Sequence, residues 1–317
     1  MKSTLGVLFL AFGAGLCHGQ VARMEILTFQ SMTLTDNEFL LGRKDGKSVI
    51  IAGELRLPRP GTDRLPTVVL LHGSGGISGY VTDWEQEFNA KGIATFVVDS
   101  FSGRGIASVI NDQSQLGRMT QVFDSYRAIE ALEKHPRVDP ARIAVMGFSR
   151  GGQGALYSGM KRFQRMHGPT SGREFAAYVA LYPTCSTVFL DDEDVTSKPI
   201  RIFHGSADNY VPVGPCRAYA QRLKAKGADI QHTEYAGALH VFDWLSLKTP
   251  MKLEKAQTVR SCQLEEVAPG RIANVNTRQP FTYADPCVEY GVTIGYDEAA
   301  SIDTRKAVQA LMASLKP

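Results

Sequence analysis

Gly147-Phe148-Ser149-Arg150-Gly151 fits the pattern G-x-S-x-G, in which a serine sits on a tight turn between a strand and a helix. The surroundings agree with that reading: the apolar run IAVMGF leads straight into Ser149, and Gly-Gly-Gln-Gly-Ala-Leu opens a helix after it. A residue held on so sharp a turn has a strained backbone, and its neighbours must be small to avoid collision, which explains Gly147 and Gly151. A serine hydroxyl is a poor nucleophile at neutral pH. It needs a base to take its proton and a carboxylate to orient that base. Asp208, just past the strand-like PIRIFHGSAD, and His240, in Gly237-Ala238-Leu239-His240, supply those types in the order Ser, Asp, His.

The negative oxygen of a tetrahedral intermediate also needs donors. His72-Gly73-Ser74-Gly75-Gly76 follows the apolar run PTVVLL, and its position assigns the backbone N–H of Ser74 as one donor, with that of Arg150 as the other. His72 reads as a structural residue of this turn. A phosphate loop would be followed by G-K-[ST], and none follows this segment.

These residues have to be positioned by a scaffold, and the chain outlines one. Short β-rich runs alternate with helical patterns, which predicts an α/β fold with a mostly parallel central sheet and helices on both faces. Strands are expected at Glu25–Leu34 and Ser48–Leu57, the second stopped by Pro58-Arg59-Pro60-Gly61. Pro66–Gly73, Gly92–Ser100, Arg142–Ser149, Ala176–Pro183 and Pro199–Asp208 carry the continuous apolar character of strands buried on both faces. Val122, Tyr126, Ile129 and Leu132 predict an amphipathic helix near 118–134, and a last helix is expected over Glu298–Leu315 with Ala307, Leu311 and Leu315 on one face. Between about 248 and 295 the periodicity weakens, which reads as an insertion decorating one domain that runs from 20 to 317.

Residues 1–19 have a single Lys2, an apolar run from Leu5 to Leu16 and small residues to Gly19, the pattern of a signal peptide. The run is shorter than the roughly 20 apolar residues needed to span a bilayer, so no stable membrane anchor is expected and the protein should be secreted or periplasmic. Beyond that segment four cysteines remain, and an oxidising compartment favours two disulfides. Cys185 and Cys216 each follow the carboxyl end of one of two successive strands, which are usually neighbours, so they are paired; Cys262 is paired with Cys287. No C-x-x-C or His-Cys cluster suggests a metal. Of the 317 residues 44% are apolar and 21% charged, ample for a large core. A formal charge of +3 without basic runs excludes an electrostatic footprint for nucleic acid.

The segments VVLLHGSGG, IATFVVDSFSGRG, RIAVMGFSRGGQGAL, YPTC, IFHGSADNYVPVGPC and YAGALHVF, spread over roughly residues 48–245, resemble the dienelactone hydrolase family of the α/β-hydrolases. The resemblance implies hydrolysis of a small-molecule ester or lactone with no metal or organic cofactor. It also has departures. Those enzymes use a cysteine where this chain has Ser149, carry a glutamate in the oxyanion segment where this chain reads Leu71-His72-Gly73-Ser74, and hold a substrate carboxylate with two arginines. Only Arg104 lies near one of those arginines, and Val241-Phe242-Asp243-Trp244 after His240 offers nothing basic. Arg104 is therefore the candidate ligand for an acidic substrate group, against a solvated arginine or a partner of Asp99. The expected chemistry is that of a serine esterase working through an acyl-enzyme. Acyl transfer to another acceptor or cleavage of small peptides would use the same residues, and a non-catalytic binding protein on this fold is the reading from a different class.

Overall fold

The computed structural model describes residues 23–315; the expected signal segment lies outside the described residues. The chain runs β1 (Arg23–Thr33), α1 (Asp36–Leu40), β2 (Lys47–Leu57), β3 (Leu65–Leu71), α2 (Gly79–Ala90), β4 (Ala94–Asp99), α3 (Thr120–Leu132), β5 (Val138–Phe148) and α4 (Arg150–Tyr157). It continues through α5 (Lys161–His167), β6 (Tyr178–Leu181), β7 (Thr187–Val188), β8 (Ile200–Gly205), α6 (Val213–Ala225) and β9 (Ile230–Tyr235). Then come β10 (Met251–Thr258), β11 (Leu264–Ala268), β12 (Arg271–Asn274), β13 (Glu289–Ile294) and α7 (Glu298–Ser314).

Eight strands form one sheet in the order β1-β2-β4-β3-β5-β6-β8-β9. Every pairing from β4 to β9 is parallel, while β2 runs antiparallel to both neighbours. The central strands are almost wholly apolar and buried, because helices cover both faces: α3, α4 and α6 with the core around Val69, Tyr126 and Ile202, and α2 and α7 with the core around Leu70, Trp84 and Phe148. This is the expected α/β-hydrolase architecture. The last helix buries Val308, Leu311 and Met312 and leaves Ala307 exposed, one position off the expected stripe, since an alanine carries too little apolar surface to mark a face.

The stretch between the His240 loop and α7 is more regular than its sequence suggests. β10 pairs with β13, and β11 with β12, both antiparallel; β11 also adds β7 in parallel, joining this segment to the body of the fold. The buried carboxylate of Glu266 on β11 receives both terminal nitrogens of Arg162 on α5 at 2.6 and 2.8 Å. Disulfides join Cys185 to Cys216 and Cys262 to Cys287, each with Cα atoms 5.0 Å apart.

Candidate active site

The site lies at the carboxyl edge of the parallel strands. Ser149 follows β5 directly and caps α4 with φ 54° and ψ −113°, a left-handed conformation that an ordinary side chain adopts only under constraint. The constraint is visible. The Ser149 N–H donates to Leu181 O on β6 (2.9 Å), and a Cβ on Gly147 or Gly151 would run into the carbonyl of Gly151 or of Leu71, respectively. Glycine at those two positions is therefore a requirement of the close strand–helix approach.

Ser149 Oγ lies 2.9 Å from His240 Nε2, and His240 Nδ1 lies 2.6 Å from Asp208 Oδ2. The structure thus brings together these three residues, each from beyond a different strand end. Asp208 stands in the turn after β8, where its Oδ1 accepts the N–H groups of Tyr210 (2.9 Å) and Val211 (2.8 Å). Burial pushes its carboxyl up, but the charge of His240 and hydrogen bonds from His204 and His240 outweigh that and hold it well below the usual carboxylate range. The His240 loop is fixed from the side of the insertion, where Gly295 N–H donates to His240 O at 3.0 Å. Two aromatic rings pack tilted against the imidazole, Tyr182 at 4.6 Å and Tyr210 at 4.9 Å between centroids.

Ser74 and Arg150 both line the pocket at Ser149, and neither backbone N–H finds an acceptor among the described residues. Gly73 lies so near that a Cβ there would be 3.6 Å from that of Ser149. Gln113 ties the two donors' side chains together: its Oε1 accepts from Arg150 Nη1 (2.8 Å), and its Nε2 donates to Ser74 Oγ (3.0 Å). His72 is fully buried in its turn, with Nδ1 2.8 Å from Gly73 O and Nε2 accepting from Ser100 N–H at 3.2 Å.

Arg104 takes a different place. All five of its N–H groups are engaged: Nη1 with Ser100 O (2.7 Å) and Asp124 Oδ2 (2.8 Å), Nη2 with Asp124 Oδ1 and Met32 O (both 2.8 Å), and Nε with Thr33 Oγ1 (3.1 Å). Its side chain is 3% exposed and takes no part in the pocket wall. The expectation of an acid-binding Arg104 is corrected accordingly: a guanidinium with no free donor cannot grip a substrate, and its partner is Asp124 in place of Asp99.

The pocket has a volume of about 40 Å³. One water needs roughly 10–15 Å³ on this measure, so there is space for about three water-sized groups. Its far wall comes from the insertion, through Gln257, Thr258, Val259 and Tyr283. Sequence reasoning missed these residues, together with Gln113, Tyr182 and Tyr210. Tyr182 closes an apolar strand and reads as core, and Tyr283 stands in a stretch without periodicity; neither had a local signal.

Against known proteins, a family model described as the dienelactone hydrolase family matches residues 54–259. A dienelactone hydrolase-like promiscuous phosphotriesterase from metagenomic libraries superposes with a TM-score of 0.56 at 16% identity, covering 92% of this chain and 98% of that one. The crystal structure of a putative dienelactone hydrolase from Klebsiella pneumoniae gives 0.57 at 14% identity, covering 92% and 99%. Among curated proteins, acyl-protein thioesterase 1 of Gibberella zeae is 28% identical over 101 residues, 32% of this chain; the match spans 42% of that relative's length. The family match runs from within β2 through β10, more than half of the chain, and the chain belongs to the dienelactone hydrolase family.

Proposed function

We propose that this protein hydrolyses small carboxylic esters or lactones through an acyl-enzyme on Ser149. The observation that carries the reading is the unbroken hydrogen-bonded line Ser149–His240–Asp208, whose Ser149 end lines a pocket shared with Ser74 and Arg150, two residues whose backbone N–H groups have no acceptor among the described residues. His240 Nε2 accepts the Ser149 proton as Oγ attacks the acyl carbon, and the N–H groups of Ser74 and Arg150 receive the charge on the carbonyl oxygen. Collapse of the tetrahedral intermediate expels the alcohol, which takes the proton from His240. A water, deprotonated by the same base, then releases the acid and restores Ser149. Asp208 stays ionised throughout, holds the imidazole in the tautomer with Nδ1–H, and stabilises the imidazolium. The small pocket favours a short acyl or alcohol group. The leader-like residues 1–19 and two disulfides support export to an oxidising compartment, and among the described residues no helix is long and apolar enough to cross a membrane.

Labelling with a fluorophosphonate followed by peptide mapping tests the reading. Modification should fall on Ser149, and Ser149→Ala should lose the label and at least a thousandfold in turnover. A Ser149→Ala protein within tenfold of the parent would end the assignment.

A further inference from the structure

Asp243 is a carboxylate with no exposure at all, three residues past His240, and the reaction as described does not use it. Its Oδ1 accepts the hydroxyl of Tyr182 and its Oδ2 the indole N–H of Trp84, both at 2.7 Å. Trp84 can only donate, so the pair of bonds suits the ionised form. Burial raises the carboxyl above its ordinary range, while the hydrogen bonds from Tyr182 and Trp84 and the charge of Arg305 pull it back. Arg305 donates to the Asp243 carbonyl at 3.1 Å and is itself paired with Glu87.

Tyr182 links this buried charge to the base. Its ring lies 4.6 Å from the imidazole of His240, well within the range at which an aromatic face attracts a cation. The loop from His240 to Asp243 therefore engages one phenol twice, with the imidazole tilted against its ring at 59° and the carboxylate at its hydroxyl. Holding this grip strains the backbone. Tyr182 has φ 40° and Val241 φ 54°, and with Ser149 these make three of the five non-glycine residues in the left-handed region among the described residues. For a β-branched valine and a bulky tyrosine that conformation is an outlier, and such outliers gather where function holds them.

We infer that Tyr182 and Asp243 are positioning residues for the general base: the phenol, polarised by Asp243, holds the His240 ring between Ser149 and Asp208 and stabilises the imidazolium formed when Nε2 takes the serine proton. Besides Asp208 at Nδ1 and Ser149 at Nε2, the groups packed on His240 are Tyr182 and Tyr210; His204 stands behind Asp208 at 3.4 Å, and Tyr80 and Arg305 complete the charges and phenols around Asp243. The inference rests on the proposed triad.

The test compares pH–rate profiles of the full chain with those of Tyr182→Phe and Asp243→Asn, using one short-chain ester. Tyr182→Phe keeps the ring and removes only the link to Asp243; Asp243→Asn keeps the size and removes the charge. Both should lower kcat about tenfold with KM within twofold, and both should move the acidic limb of the profile to lower pH by about half a unit, because an imidazolium that is less stabilised gives up its proton sooner. A purely structural role would change thermal stability and leave the limb in place. Limbs that coincide with the parent's overturn the inference, as does a loss confined to KM. If Asp243→Asn fails to fold, Tyr182→Phe alone decides. Ser149→Ala is assayed in parallel: if it is active the triad itself fails, whereas an inactive Ser149→Ala beside an unaltered Tyr182→Phe removes the positioning role alone.

Discussion

Replacing Arg104 by alanine should unfold this protein more readily and leave its substrate preference unchanged. The guanidinium is bidentate to Asp124, whose carboxylate is wholly buried on α3, and also joins Ser31, Met32 and Thr33 of β1 to Ser100 at the end of β4. Truncation removes every one of those bonds and leaves the Asp124 carboxylate buried with the Ser31 hydroxyl as its one remaining side-chain hydrogen-bond donor among the described residues. A single hydrogen bond to a charged group contributes about 1.5–3 kcal/mol, but these share one donor group and do not add. The uncompensated carboxylate dominates, and breaking a buried pair from one side costs about 3–5 kcal/mol. At roughly 2–3 °C per kcal/mol for a chain of this size, Tm should fall by about 6–15 °C. Urea denaturation with the disulfides intact gives the loss, and Michaelis constants for one neutral and one acidic ester, measured well below the transition, give the specificity. The double variant Arg104→Met/Asp124→Leu should recover much of the stability, because it removes both charges and keeps the volume. An Arg104→Ala protein as stable as the parent, with KM raised for the acidic ester alone, would refute this account and return Arg104 to the substrate.

Two further outcomes follow from the same geometry. Because the pocket at Ser149 holds only about 40 Å³, kcat/KM on nitrophenyl esters should peak at acetate or propionate and fall at least tenfold by octanoate, and an octanoate rate equal to acetate would show that the Tyr283 wall yields. Asp208 has a depressed carboxyl in the folded state, so its contribution to stability is complete above the unfolded value near 4 and is lost as the pH falls through the folded one. Urea midpoints of Asp208→Asn should therefore fall less steeply with acid below about pH 4 than those of the parent, and parallel curves would count against the depressed carboxyl.

The tight strand–turn–helix at Ser149, the places of Asp208 and His240 beyond strand ends and the run of buried strands were legible in the chain because each is a local matter. A glycine two residues either side of Ser149 marks a collision that any strand–turn–helix would suffer, and a strand covered on both faces has to be apolar throughout. Cys185 and Cys216 were within reach for a related reason, since successive parallel strands are usually neighbours. Arg104 was not. Its type and position suited an anion ligand, and only the fold brought Asp124 from α3 and four carbonyl or hydroxyl oxygens from β1 and the residue after β4 onto its donors. The same holds for Tyr182, which shares its strand's apolar character and acquires a role only because the loop after His240 turns back over it. Gln257 likewise reaches the pocket from β10, whose register with β13 no short window of sequence records, and Tyr283 reaches it from the stretch between β12 and β13. What the sequence alone determined is chemistry encoded by neighbours along the chain. Which charges are already satisfied, how large the pocket is and what surrounds His240 depend on contacts between residues tens of positions apart, and those exist only once the sheet and its insertion have closed around the site.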